Sequence, residues 1–310
     1  MLAVKTLKSN SNIFRRAIWL MGNQFEISIV TNDVMWAEER IANAIAEINR
    51  VEKLLSAFSD TGNVTEINRN AGIQPVKVNP EIFWLIDRAI KISELTYGAF
   101  DITYLSGDTE SIAANNKSTK TLAKFGNYQS VVLDDSAMTV FLKEEGMRIS
   151  FAANSKGYAA DRAKYILQTQ GVSSGVINAG GDLLTWGLQL DNQPWTVASA
   201  DPELQHLAYA NLDISNMCFA TAVNSDENVA IANKQVIKKI NAKKGFPISG
   251  IVSMSIVSPS AELSGAIANP MIAIGVNAGL YLINKLNQIG CVIIDDHQRV
   301  YTSKGISLTE

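Results

Sequence analysis

The chain has 310 residues, 47% of them hydrophobic, which is enough to fill the core of one large domain or two closely packed ones and excludes a disordered protein. Its 27 basic and 30 acidic side chains nearly cancel, so no long-range field favours nucleic acid or an anionic membrane. Partners must be recognised by shape and local chemistry.

Lys5, Lys8, Arg15 and Arg16 are scattered through a polar N-terminal stretch with no apolar run leading to a small-residue cleavage site. No cysteine lies near the start, and no apolar run approaches the roughly 18 residues that a membrane span needs. The expectation is a cytoplasmic chain without membrane insertion. Phe25 to Val30 alternates and is β-rich, predicting a first strand after a Met21-Gly22 turn. Asn32 or Asp33 then caps a long helix whose apolar face runs Ile41, Ile45, Ile48, Val51 and Leu55. Asn79-Pro80-Glu81 opens a second helix, with Ile82, Leu85, Ile86, Ala89 and Ile90 inward, which Tyr97-Gly98 ends. Residues 106–124 are polar and read as a mobile surface insertion.

Ser130 to Leu133 and Met138 to Leu142 flank Asp134-Asp135-Ser136 as a hairpin, and Met147 to Phe151 adds a strand. A third helix is predicted from about Tyr158 to Gln170, closed by Gly171. From Gly175 to about Ile256 short β segments alternate with turns, followed by one small-residue helix from about Leu263 to Leu286 and a closing hairpin around Asp295-Asp296. Helices segregated between antiparallel strands argue for α+β architecture. Cys218 and Cys291 lie inside apolar runs and read as free core thiols.

Several short strings stand out in order: Met21-Gly22, Leu55-Ser56-Ala57-Phe58, Ile67-Asn68, Thr96-Tyr97-Gly98-Ala99-Phe100-Asp101, Lys156-Gly157-Tyr158, Asn178-Ala179-Gly180-Gly181-Asp182, Pro194-Trp195 and Gly245-Phe246-Pro247. Each alone is a weak signal. Together, at these separations, they resemble the FAD:protein FMN transferase family, also called the ApbE family, from Met21 to Tyr301. The resemblance implies an ApbE-like, T-fold-related architecture of antiparallel or mixed sheets packed with helices, forming a single domain over residues 1–310. It also implies an activity: cleavage of FAD between its phosphates and movement of FMN onto a serine or threonine of a target protein, with magnesium. Such a reaction needs the diphosphate neutralised, the hydroxyl deprotonated and the leaving oxygen stabilised.

Lys156-Gly157 at the start of the third helix suits the first need, since free N–H groups there attract anions and glycine admits a phosphate closely. Equally, it fits a surface lysine before a tight turn. Gly180-Gly181-Asp182 fits either a wall against flavin or a β-turn in which Asp182 bonds its own backbone. Phe100-Asp101 fits either an FAD contact or a core phenylalanine beside a turn-capping aspartate. By resemblance, Met21, Phe58, Ala99, Phe100, Asp101, Ser150, Lys156, Gly157, Gly180, Gly181, Asp182 and Ile240 match positions that border FAD. Met21 and Phe58 are also ordinary core residue types.

The pattern breaks where the chemistry concentrates. Ser150 stands for an aspartate, and Thr221-Ala222-Val223 for a Thr-Ser-Gly turn. Lys239 stands for a histidine suited to proton transfer. The matched metal positions Ala153, Gly265 and Asn269 lack the family's side-chain ligands, whereas magnesium wants hard oxygen donors with at least one carboxylate. Glu262 reads as an exposed glutamate at a helix N-terminus. Lys238, Lys239, Lys243 and Lys244 crowd the same region and suggest either a lysine counter-charge in place of magnesium or a solvated basic hairpin.

The favoured expectation is a non-catalytic paralogue that binds FAD or another diphosphate nucleotide, or partners a flavinylation target or an active relative. The alternative is an active Mg-dependent FAD:protein FMN transferase with rearranged ligands. A simple flavin oxidoreductase is not supported, since no Gly-x-Gly-x-x-Gly fingerprint follows a strand.

Overall fold

A computed structural model describes residues 2–4, 13–56, 62–105, 127–199, 212–223 and 250–306. They fall into two compact units: residues up to 52 with 154–223 and 250–306 form one, and residues from 53 to 153 the other. The predicted insertion at 106–124 lies outside the described residues.

The first unit opens with β1 (Leu2–Val4), β2 (Ile13–Leu20) and β3 (Asn23–Val30). β2 and β3 form a hairpin with Leu20 opposite Asn23 and Ile13 opposite Val30. Its turn is Met21-Gly22, with φ of 50° and 70°, the paired positive values that match the twist of a tight hairpin. The predicted turn is thus real, but the strand before it escapes the pattern. Arg15, Arg16 and an exposed Trp19 give β2 no buried alternation, because it is an edge strand. α1 (Val34–Leu55) follows, and Asp33 is its cap, with Oδ1 accepting from the Trp36 N–H at 2.9 Å. Ala37, Ile41, Ala44, Ile48 and Val51 are fully buried along one stripe, while Ile45 is only partly covered.

The second unit contains α2 (Asn63–Arg69), β4 (Val76–Lys77), α3 (Pro80–Leu95), β5 (Thr103–Leu105), β6 (Val131–Asp134), β7 (Thr139–Leu142) and β8 (Met147–Ile149). α3 begins as its sequence dictates: Asn79 Oδ1 accepts from the Glu81 N–H at 2.7 Å, with Pro80 in the first turn. Tyr97 and Gly98 both take positive φ and end it. The β6–β7 hairpin turns on Asp134, whose Oδ1 accepts from the N–H groups of Ser136 and Ala137. β4, β7 and β6 make one small sheet, and β5 pairs with β8. Asn68 of α2 brackets Ile149 of β8, donating to its carbonyl at 3.1 Å and accepting from its N–H at 2.8 Å.

The remaining elements return to the first unit: α4 (Ser155–Thr169), β9 (Gly175–Ala179), β10 (Asp182–Trp186), β11 (Val197–Ser199), β12 (Cys218–Val223), β13 (Ile251–Ser258), α5 (Ala261–Ile274), α6 (Val276–Ile283), β14 (Gly290–Asp295) and β15 (Val300–Thr302). Its main sheet has the order β15-β14-β13-β12-β10-β9-β3-β2, with every pairing antiparallel. β1 pairs with β11 beside it. On one face Val176, Leu183, Phe219, Val257 and Val292 pack with Trp195, Val197 and Ile214. α4 and α5 lie against the sheet, over β9, β12 and β13. The architecture is α+β, as expected.

Two helix boundaries need correction. α4 starts three residues before the predicted Tyr158, where Ser155 and Gly157 weaken the helix signal. The predicted single helix from Leu263 to Leu286 is two, because Gly275 at φ 88° and ψ 167° breaks the ladder between α5 and α6. Cys218 and Cys291 are both fully buried, on β12 and β14, with β13 between them. Burial pushes the Cys218 thiol well up and the Cys291 thiol to about 11. No helix among the described residues is long and apolar enough to cross a membrane.

Candidate functional site

In the first unit, two hairpin turns meet at one end of the main sheet. β3 and β9 are neighbours, so the Met21-Gly22 turn lies beside the Gly180-Gly181 turn joining β9 to β10. The Gly180 N–H donates to the Gln24 carbonyl at 2.9 Å, and a Cβ on Gly180 would strike the Asn23 side chain at 2.9 Å. Asn23 is itself fixed by donating from Nδ2 to the Met21 carbonyl at 3.0 Å. Gly181, at φ 105°, donates its N–H to Asn178 Oδ1 at 2.8 Å and has open space where a side chain would stand. Glycine at 180 is required by close packing and at 181 by backbone conformation.

The next residue, Asp182, reaches the start of α4. Its Oδ2 lies 2.9 Å from Lys156 Nζ, with side chains only 15% and 28% exposed respectively. Burial pushes the Asp182 carboxyl upward, while Lys156 and the Thr221 backbone N–H oppose it. This geometry corrects one sequence expectation: Asp182 does not bond its own backbone but joins two motifs 26 positions apart. Lys156 is accordingly a tethered charge and not a free surface lysine.

Gly157 has a second reason for lacking a side chain. A Cβ there would collide with the Ala261 carbonyl, so the first turns of α4 and α5 touch backbone to backbone. One helical turn further on, Asp161 closes the contact: its carboxylate accepts from Ser260 Oγ, from the Ala261 N–H and from the Glu262 N–H, each at 2.9 Å. Ser260 Oγ also accepts from the Leu263 N–H at 3.2 Å. Burial raises the Asp161 carboxyl while these three donors resist the rise. The N-terminus of α5 thus already holds an anion, supplied by the chain itself. Glu262 is 5% exposed, which corrects the expectation of a solvated cap: α4 covers it through the same contact. Asn154, the residue before α4, is 1% exposed and forms no side-chain cap bond.

The residues matched to metal ligands do not form a donor set. Gly265 offers no side chain, Asn269 is exposed one turn along α5, and Ala153 is apolar. The carboxylate fixed nearby, Asp161, is committed to the α5 terminus. A divalent cation therefore does not fit the side chains at the matched positions. Among the described residues, Asp295, Asp296 and His297 do cluster, in the β14–β15 turn. Asp295 is spent there, accepting from the N–H groups of His297 and Arg299, from the Arg299 guanidinium and from the Tyr301 hydroxyl.

In the second unit, Phe100 is buried at 2% exposure and Ala99 is partly covered. Asp101 accepts at Oδ1 from the Thr103 N–H and hydroxyl, both at 2.8 Å, and at Oδ2 from the Tyr128 N–H at 3.1 Å. Its carboxylate braces a turn. Ser150 accepts at Oγ from the Ala152 N–H at 3.3 Å. Phe58, Ile240, the Lys238 to Lys244 group and Gly245-Phe246-Pro247 lie outside the described residues. Asp161 lies three residues beyond the Lys156-Gly157-Tyr158 string, and Asn154 two residues before it. A small residue and an acid four apart on one helix face is the available signal for the first.

The ApbE family model matches residues 21–293. An FAD:protein FMN transferase of Klebsiella pneumoniae is 24% identical over 308 residues, covering 95% of this chain and 93% of the relative. One from Vibrio cholerae is 19% identical, covering 91% and 88%. Among solved structures, the ApbE protein of Thermotoga maritima superposes with a TM-score of 0.73 at 20% identity, over 94% of this chain and 97% of the other. The apo form of the Pseudomonas stutzeri flavinyl transferase ApbE gives 0.73 at 18% identity, over 96% and 98%. At these identities the superpositions speak for the fold alone.

Proposed function

Because this chain belongs to the ApbE family, we propose that it is a flavin-nucleotide-binding relative of the FAD:protein FMN transferases that has lost the transfer reaction. The observation that carries this reading is the contrast at the α4–α5 contact. The anion-attracting start of α4 persists with Lys156, whereas the matched metal position on α5 is Gly265 and supplies no donor. Phosphoryl transfer from a diphosphate needs its developing charge neutralised, and one lysine already paired with Asp182 is a poor substitute for a divalent ion.

In this reading Lys156, the open Gly181 turn and Met21 hold the nucleotide in the first unit. Ala99, Phe100, Asp101 and Ser150 are assigned to FAD by the family resemblance, as are Phe58 and Ile240. Partner classes are FAD or another diphosphate nucleotide and either a flavinylation target or an active relative. The chain is proposed to act in the cytoplasm, as one functional domain.

The test is incubation with FAD, magnesium and an acceptor protein carrying a flavinylation threonine, read by in-gel flavin fluorescence. The expected result is no covalent band from folded protein that still binds FAD in solution. A second reading, an active transferase with rearranged ligands, is favoured by Glu262. This carboxylate is buried one turn before Gly265 on α5 and is of the type that binds magnesium. A fluorescent band that disappears in Glu262→Gln would establish that reading instead.

A further inference from the structure

The approach to α4 carries a group that the proposed function does not use. Neither Nδ2 nor Oδ1 of Asn154 has a hydrogen-bond partner among the described residues, although the side chain is 1% exposed. Burying an amide without bonds costs free energy, and most folded chains avoid it. Asn154 stands where a capping side chain would bond the first turn of α4, yet makes no such bond. The N–H groups of that turn have no intrahelical acceptors.

Its position is informative. Asn154 precedes Gly157 by three residues, so it lies on the side of α4 that meets Ala261 and Glu262. Gly265 follows Ala261 by four residues and lies on the corresponding side of α5. The carboxamide is therefore on the side where the matched metal ligand is missing. It is neutral, carries two N–H donors and one acceptor oxygen, and sits two residues from Lys156. A ligand that satisfies it must offer an acceptor and a donor close together, and a sugar phosphate, two residues from the Lys156 charge, offers both.

We propose that Asn154 is a ligand-binding residue, donating from Nδ2 to a phosphate oxygen and accepting at Oδ1 from a sugar hydroxyl, so that a nucleotide diphosphate is held without a divalent cation. This assignment rests on the flavin-nucleotide reading above. It is tested by isothermal titration of the full chain with FAD, and separately with inorganic pyrophosphate, in EDTA and in magnesium chloride.

The wild type is expected to bind FAD equally in both buffers. Asn154→Leu is expected to bind FAD and pyrophosphate at least tenfold more weakly, while its ligand-free melting temperature stays level or rises. Equal affinity in Asn154→Leu with a lower melting temperature overturns the assignment and makes the amide an internal, water-satisfied structural group. Weaker FAD binding with unchanged pyrophosphate binding overturns the phosphate contact. Wild-type binding that requires magnesium overturns the metal-free mode. Absence of heat from the folded wild type with both ligands overturns the flavin reading itself, and this assignment with it. Should the leucine variant fail to fold, the near-isosteric Asn154→Asp decides, since a carboxylate repels a diphosphate and unchanged affinity there also overturns the assignment.

Discussion

Asp161, partly buried, and Asp295, buried, show opposite uses of a carboxylate. Asp161 caps a helix that belongs to another stretch of chain, and its removal leaves three donors at the start of α5 without an acceptor. Asp161→Ala is expected to cost about 3 kcal/mol by the usual penalty for stranded buried polar groups, seen as a lower denaturation midpoint in urea. Asp161→Asn keeps one acceptor oxygen and is expected to cost less. At Asp295, burial works to raise the carboxyl, but bonds from Arg299, His297 and Tyr301 prevail and hold it at about 2, below the ordinary 3.8. The sign follows directly: a depressed carboxyl stabilises the fold above its unfolded value, and that stabilisation is lost as pH falls from about 4 towards 2. Asp295→Asn is therefore expected to melt below the wild type at pH 7, with the gap closing as the pH approaches 2.

Among the elements, legibility in the sequence follows periodicity and punctuation. α1 and α3 are readable because their apolar steps repeat over several turns and each carries a recognisable cap, Asp33 and Asn79. β2 is not, since an edge strand with two arginines has no buried alternation to display. α2 escapes notice because seven residues make too few turns for a period to emerge. The α5–α6 break is hidden for another reason: glycine is common in small-residue helices, and only the backbone reveals that Gly275 takes φ 88° with ψ 167°. Few residues other than glycine adopt that conformation. Gly275→Ala is accordingly expected to cost about 1–3 kcal/mol, measurable by thermal melting.

At the scale of the whole molecule, the candidate site is legible as a set of strings and not as an arrangement. The sequence flags Lys156 and Asp182 separately; their pairing depends on the β10–β12 register and the placement of α4, which no local pattern encodes. Gly157 suits a phosphate on sequence grounds, but packing between two helices already demands it. The Gly180-Gly181 turn, by contrast, is readable as a point of close approach, because adjacent glycines between two apolar runs give the backbone a freedom that only a tight turn or a near neighbour uses. Family membership rests on the family model's match over residues 21–293. The proposed loss of transfer rests on a handful of side chains, because a frame can persist while the chemistry of its site changes.

The two sulfur atoms have a practical corollary. Each is fully buried and resists deprotonation, so maleimide dyes are expected to leave the intact protein untouched near neutral pH. Labelling then occurs only during moments when the sheet opens, and its rate becomes a clock for those openings without any engineered probe.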